Sequence, residues 1–293
     1  MKTTHAAVCT AIAIALAPFA PSYAQRQFAT PDAAADALVQ ALSPQKPDEK
    51  GLAALLGDDW RKFVPVGTVD REDVDAFLSM YRKKHAFRPA EGGRQTLVVG
   101  DDGWTFPVPV AKARDGWRFD MVAGASEILA RRIGRNELDV ITALHAYHDA
   151  QTDYAEVDRD GDGVLEYAQT LVSTDGAHDG LYWADDDSGE ISPLGPLFGD
   201  AGPHADWLGY RYRILTAQGP SAPGGVYDYR LGKNMSRGFA LVAWPARYNV
   251  TGVKSFMISH DGTVFERDLG TGGESIARGM KTFDPDSAWS EVK

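Results

Sequence analysis

Asp158-Arg159-Asp160-Gly161-Asp162-Gly163-Val164-Leu165-Glu166 separates a helical stretch from a half of the chain that reads as strands and turns. Three aspartates stand at alternate positions, a glycine follows the last of them, and an apolar pair comes next. That spacing lets a short loop turn several side-chain oxygens toward one hard cation while glycine takes the sharp bend. Set against the twelve-residue calcium loop, Asp158, Asp160 and Asp162 fill the first, third and fifth positions and Gly163 the sixth. Val164 offers a backbone carbonyl at the seventh, Leu165 is the apolar eighth residue and Glu166 the ninth. Gln169 stands at the twelfth, where the pattern wants a bidentate glutamate. One carboxylate fewer predicts weak binding, of the roughly 10⁻⁴–10⁻³ M kind found in extracellular modules. Without a cation the same acids read as a solvated acidic turn. With one, calcium is a structural cofactor: it offsets repulsion among crowded aspartates and clamps the helix before the loop to the sheet after it.

On the N-terminal side of the loop, Ile128, Leu129 and Ile133 precede Gly134, where a break or kink is expected. Asn136 then caps a second segment with Glu137 in its first turn. Its apolar face is Leu138, Ile141, Leu144 and Tyr147, with Val140 and Tyr154 flanking, and it runs to about Val157. A short helix is expected over 166–172. Beyond it, residues 210–216, 239–244, 253–259 and 263–268 read as strands, the last two joined by the hairpin signal His260-Asp261-Gly262. The Gly- and Pro-rich loops at 192–196 and 218–225 are expected to be ordered against Tyr182, Trp183, Tyr210, Tyr212, Tyr227 and Tyr229. The end after Gly270 reads as loosely held, with Trp289 available to dock it.

Farther out, Thr30-Pro31-Asp32 opens a helix with a hydroxyl cap, proline at the first position and an acid in the first turn. Ala35, Leu38, Val39 and Leu42 form its stripe, and Pro44 and Pro47 stop it. A helical turn over 52–56 ends at Gly57, and a third helix after Asp70 carries Val74, Phe77, Leu78 and Tyr81 on one face. Strands follow at 96–99, 104–111 and 116–122, with turns at Asp101-Asp102-Gly103 and Asp115-Gly116. Trp104, Phe106, Val108 and Val110 alternate onto one face, while Pro107 and Pro109 push that strand to an edge.

The fold class is therefore α+β. The expected organisation is a signal peptide over 1–24, an α+β unit over 25–124 and a helix-plus-sheet unit over 125–293. The signal rests on Lys2, an apolar run from Ala6 to Ala17, and Ser22-Tyr23-Ala24 with small residues at its first and third positions. No later run approaches the roughly 18–20 residues of a membrane span. The only cysteine, Cys9, lies in that segment, so residues 25–293 have neither disulfide nor thiol chemistry. The whole chain carries a formal charge of −11, and Lys2 is the only formally charged residue of 1–24, so the remainder stands at −12. That excess of acid argues against nucleic acid and anionic membranes as partners and suits cations.

Other clusters are weaker. His145 and His148 with Asp149 lie at helical spacing for zinc, but two ligands make no site. Asp185-Asp186-Asp187 with Glu190 reads as a solvated loop. His178-Asp179 and His204-Ala205-Asp206 offer acid–base pairs to a pocket. The aromatics of Leu181-Tyr182-Trp183 and Gly209-Tyr210-Arg211-Tyr212 suit sugar or peptide, or core packing. No Gly-x-Ser-x-Gly elbow and no phosphate-cradling glycine loop is present.

DRDGDGVLEYAQ, followed by DGLYW, SPLGPL, YRILTAQGP, APGGVYDY and GFALVAWPA, resembles the bacterial domain-of-unknown-function family 2950, as do FATPDAAADALVQAL, GDDGWTFPVP and ARRIGRNEL nearer the start. The resemblance implies a secreted or periplasmic protein and brings no activity or catalytic residue with it. In form, the first unit resembles the cystatin-like or nuclear-transport-factor-like class. The second is similar to the globular head of pseudopilins, although here the helix is internal. The expectation is a binding or structural module of the cell envelope, facing an envelope protein or polymer. The alternative is a hydrolase of envelope polymers using acids or His178 and His204 in a cleft.

Overall fold

The computed structural model describes residues 25–65, 69–185, 189–195 and 206–293. It is an α+β protein whose described residues divide into two compact units, with the boundary between Ile128 and Leu129.

In the first unit, α1 (Pro31–Leu42) begins where the Thr30 hydroxyl accepts the Ala33 N–H. Its buried stripe is richer in alanine than the pattern predicts: Ala34, Ala35, Ala37, Leu38 and Ala41 are inside, with Val39 and Leu42 only half-buried. α2 (Glu49–Leu56) ends at Gly57, and α3 (Arg71–Lys83) starts from the Asp70 cap and buries Val74, Phe77, Leu78 and Tyr81. The helices pack on an antiparallel sheet of β1 (His85–Ala90), β2 (Arg94–Val99), β4 (Val110–Ala113) and β5 (Gly116–Phe119), in that order, with β3 (Trp104–Thr105) also on β2.

Three local expectations fail here. β1 was not foreseen, because its residues show no two-fold apolar alternation; its pairing with β2 from His85↔Val99 to Ala90↔Arg94 supplies the order. The single strand expected over 104–111 is split into β3 and β4 by Pro107 and Pro109, which have no N–H for a ladder. Only Val108 and Val110 of its predicted face are fully buried, and Trp104 is 40% exposed. The last strand ends at Phe119 because Asp120 starts a helix: its carboxylate accepts the Ala123 N–H and Arg94 Nε, at 3.0 and 2.9 Å.

Burial raises the Asp120 pKa, but the Arg94 and Ala123 hydrogen bonds outweigh it and hold the carboxyl below its ordinary value. A depressed folded-state pKa adds stability that is complete above the unfolded value, about 3.9, and is lost as pH falls through the folded one. Asp120→Ala is expected to cost about 1–2 kcal/mol at neutral pH, as a lost helix cap does. The same variant should show a shallower loss of stability below about pH 4 than the parent. Urea melts at pH 7 and pH 3 check both; equal pH slopes for parent and variant would contradict the assignment.

The helix that Asp120 starts, α4 (Met121–Tyr154), is one uninterrupted helix, not the two segments expected around Gly134. Among the described residues, nothing outside the helix's own backbone lies within 4 Å of a Cβ built on Gly134. A lone mid-helix glycine costs only about 1 kcal/mol relative to alanine, too little to break so long a helix. Asn136 is not a cap. Its amide donates to the Thr251 carbonyl at 2.8 Å, and Glu137 Oε1 accepts the Val253 and Lys254 N–H groups at 2.8 and 2.9 Å.

In the second unit, α4 buries Val140, Leu144, Tyr147 and Tyr154; Leu138, expected inside, is 67% exposed. The main sheet runs β13 (Ser290–Glu291), β11 (Val264–Asp268), β10 (Lys254–Ser259), β9 (Ala240–Pro245), β6 (Tyr210–Leu215), and every pair is antiparallel. A smaller sheet joins β12 (Thr282–Phe283), β7 (Ala217–Gln218) and β8 (Tyr227–Asp228). The C-terminal stretch is not loose. α5 (Gly273–Gly279) covers β9, β12 pairs in parallel with β7, and Ala277, Phe283 and Trp289 are buried.

No helix of the described residues is long and apolar enough to cross a membrane.

Candidate metal centre

The aspartate loop leaves the C-terminal end of α4 and is pinned at both of its ends. At the start, the Arg159 guanidinium folds back over the Tyr154 ring, 4.4 Å from its centroid, and donates to the Tyr154 carbonyl. At the exit, the fully buried Gln151 side chain grips Ala168: its Oε1 accepts the Ala168 N–H and its Nε2 donates to the Ala168 carbonyl, each at 2.8 Å. Those bonds, with Tyr167 N–H donating to the Met235 carbonyl, occupy the backbone groups that the helix expected over 166–172 would need. That segment is extended instead, and Val172 forms a parallel bridge to Tyr182.

Between these pins the loop coils on itself. Asp158 accepts the N–H groups of Gly161 and Gly163, each at 2.8 Å. Asp160 Oδ1 accepts the Asp162 N–H, and Asp162 Oδ1 the Val164 N–H. Gly161 and Gly163 have φ of 73° and 85°, the left-handed region that other residues enter at a cost. The coil brings one carboxylate oxygen each from Asp158, Asp160 and Asp162 within 4.8 Å of one another. Among the described residues no other group of three or more His, Cys, Asp or Glu converges in this way.

The turn 231–235 faces this cluster. Lys233 Nζ lies 2.7 Å from Asp160 Oδ2 and 3.1 Å from Asp162 Oδ2, and Asn234 Nδ2 donates to Asp162 Oδ2 at 2.7 Å. Glu166 Oε2 accepts the Met235 N–H at 3.3 Å, and Gln169 Nε2 donates to the Lys233 carbonyl at 2.8 Å. Of the six predicted ligand positions, three carboxylates meet; Glu166 and Gln169 are engaged by this turn, and Val164 by the Asp162 carboxylate through its N–H.

The Asn234 and Lys233 bonds lower the pKa of Asp162. Burial, then the charge of Asp160, raises that of Glu166. Lys233 is raised, first by its bond to Asp160 and then by that to Asp162. Gln151, Lys233 and Asn234 had no sequence signal: each is an ordinary polar residue, and Lys233 and Asn234 lie more than 70 positions from the carboxylates they meet.

The remaining candidates disperse. His145 is exposed, while His148 is half-buried and contacts Asp149 and the His260 carbonyl, each at 3.2 Å. Asp179 is turned to the N–H and hydroxyl of Thr174. His178 meets Glu190 instead, at 3.1 Å, and stacks on Trp183 at 4.2 Å. Asp206 pairs with Arg211 at 2.8 Å. His204, Asp186 and Asp187 lie outside the described residues. Leu181, Trp183 and Tyr210 are buried in the core.

A family model described as protein of unknown function (DUF2950) matches residues 25–292. The chain belongs to that family. No curated protein and no solved structure gives a significant match to this DUF2950 chain.

Proposed function

We propose that this DUF2950 protein is a secreted or periplasmic module of the cell envelope, a binding or structural part whose loop at 158–169 holds a calcium ion. The observation that carries the calcium reading is the convergence of three carboxylates with an ammonium already seated across two of them. Lys233 is a stand-in for the cation. Its contacts with Asp160 and Asp162 support the reading, because a positive charge already sits where the ion would. Calcium entering the cradle displaces the ammonium and gains oxygens from the same side chains; the donor set, all hard oxygens, suits it. The envelope assignment rests on the apolar run from Ala6 to Ala17, the small-residue end at Ala24 and the lack of cysteine beyond Cys9.

Lys233→Met removes the internal competitor and one positive charge beside the site. Calcium affinity is expected to rise roughly tenfold or more, since a unit charge a few ångströms away acts on that scale at a protein surface. Isothermal titration of parent and variant measures it, and an unchanged or weaker affinity in the variant would remove Lys233 from the cradle.

The hydrolase alternative draws on the His178–Glu190 pair. Release of soluble fragments from purified cell-wall polymer, abolished by His178→Ala, would decide for it.

A further inference from the structure

Away from the aspartate loop, a cavity of about 170 Å³ opens between the turn after β9, the start of β10 and the segment leading into α5. Its lining includes Arg247, Tyr248, Ser255, Thr271 and Glu274. Ser255 lines this cavity and is 1% exposed, and its hydroxyl is not one of the fully buried polar atoms that lack a partner.

The other polar groups of the wall divide into spent and unspent. Tyr248 donates to Asp268 at 3.1 Å. Glu274 Oε1 accepts from Arg211 at 2.6 Å and from Arg278 at 2.9 Å, so its charge is already balanced. Unspent are the Arg247 guanidinium and the hydroxyls of Thr271 and Ser255, for which the described residues offer no acceptor. The root of Arg247 is fixed even though its side chain is exposed. Its N–H donates to Thr251 Oγ1 at 3.0 Å, and its carbonyl accepts from Val250 and Thr251 at 3.0 and 2.9 Å. The same turn holds Asn249 at φ 59°, one of two non-glycine residues with positive φ among the described residues. Arg247 can only donate, the carboxylate of the wall is already engaged by two arginines, and the hydroxyls can turn either way, so the wall suits a ligand made of acceptors. The guanidinium fork, with parallel N–H groups, matches a carboxylate or phosphate edge.

We infer that this cavity binds a small oxyanion, with the exposed Arg247 and Thr271 meeting it at the rim and the buried Ser255 donating from within. The inference is independent of the calcium reading and uses none of its residues. Its test is a two-dimensional amide NMR titration of the full chain at low ionic strength. Inorganic phosphate and acetate serve as separate probes, and methyl glucoside as a neutral one. Saturable shifts at Ser255, Gly270 and Thr271 are expected with one or both anions and not with the sugar, and the tighter anion tells phosphate from carboxylate. Arg247→Met should weaken the binding roughly tenfold or more. Ser255→Ala should weaken it less, as loss of one neutral donor does. Arg247 is exposed, so its variant should keep the parent spectrum elsewhere, which serves as the folding control. Absence of saturable shifts with both anions, or equal affinity in parent and Arg247→Met, would overturn the inference, as would sugar binding stronger than anion binding.

Discussion

Gln151→Leu is expected to destabilise the protein by about 3–5 kcal/mol, because two buried backbone groups would lose their only partners at about 1–3 kcal/mol each, together with a bond to Tyr147. The amide of Gln151 serves the N–H and carbonyl of Ala168 and the Tyr147 hydroxyl, at 2.8, 2.8 and 3.0 Å, and both Gln151 and Ala168 are inside the core. Leucine fills the space but offers nothing to Ala168, so the loop exit must either bury bare polar atoms or pull away and admit water. The corresponding drop in melting temperature is roughly 10 °C for a unit of this size. Hydrogen exchange at the Ala168 amide should rise with it. A variant within 1 kcal/mol of the parent, with Ala168 still protected, would mean that the loop exit is held by something else.

Calcium should raise the melting temperature by about 3–6 °C at a concentration tenfold above its dissociation constant, as expected when an ion binds only the folded state. Asp160→Ala should remove most of that rise. Asp160 supplies one of the three converging oxygens and one of the two contacts that seat Lys233. In the absence of calcium the variant should melt close to the parent, since the carboxylate is exposed and its pair with Lys233 is a surface ion pair of small net worth. The dependence on calcium separates a lost ligand from a damaged fold. Parent melting curves that coincide with and without millimolar calcium would count against the site.

Where local chemistry decides structure, the sequence was legible. The Thr30-Pro31-Asp32 opening, the α3 stripe at Val74, Phe77, Leu78 and Tyr81, and the hairpin at His260-Asp261-Gly262 each carry their cause within a few residues. The aspartate loop belongs to the same class: its coil is made of carboxylates that accept N–H groups two to five residues ahead. What was misread depends on partners far along the chain. Asn136 and Glu137, expected to start a helix, instead serve backbone groups more than 110 positions away. The extended form of 166–172 is imposed by Gln151 and Met235, not by its own propensities. β1 and the two-residue strands of the C-terminal stretch are too short or too polar to show a period, and owe their order to the strands beside them. The cluster's own acids could be named in advance; the turn at 231–235 that answers them could not.

The most direct test is a crystal structure of the full chain grown with 10 mM calcium (roughly tenfold above the weak end of extracellular sites), with anomalous scattering recorded to identify the ion. The prediction is a calcium peak about 2.3–2.6 Å from oxygens of Asp158, Asp160 and Asp162, with Lys233 turned out to solvent. Lys233 still bridging Asp160 and Asp162, and no anomalous density among the three acids, would contradict it.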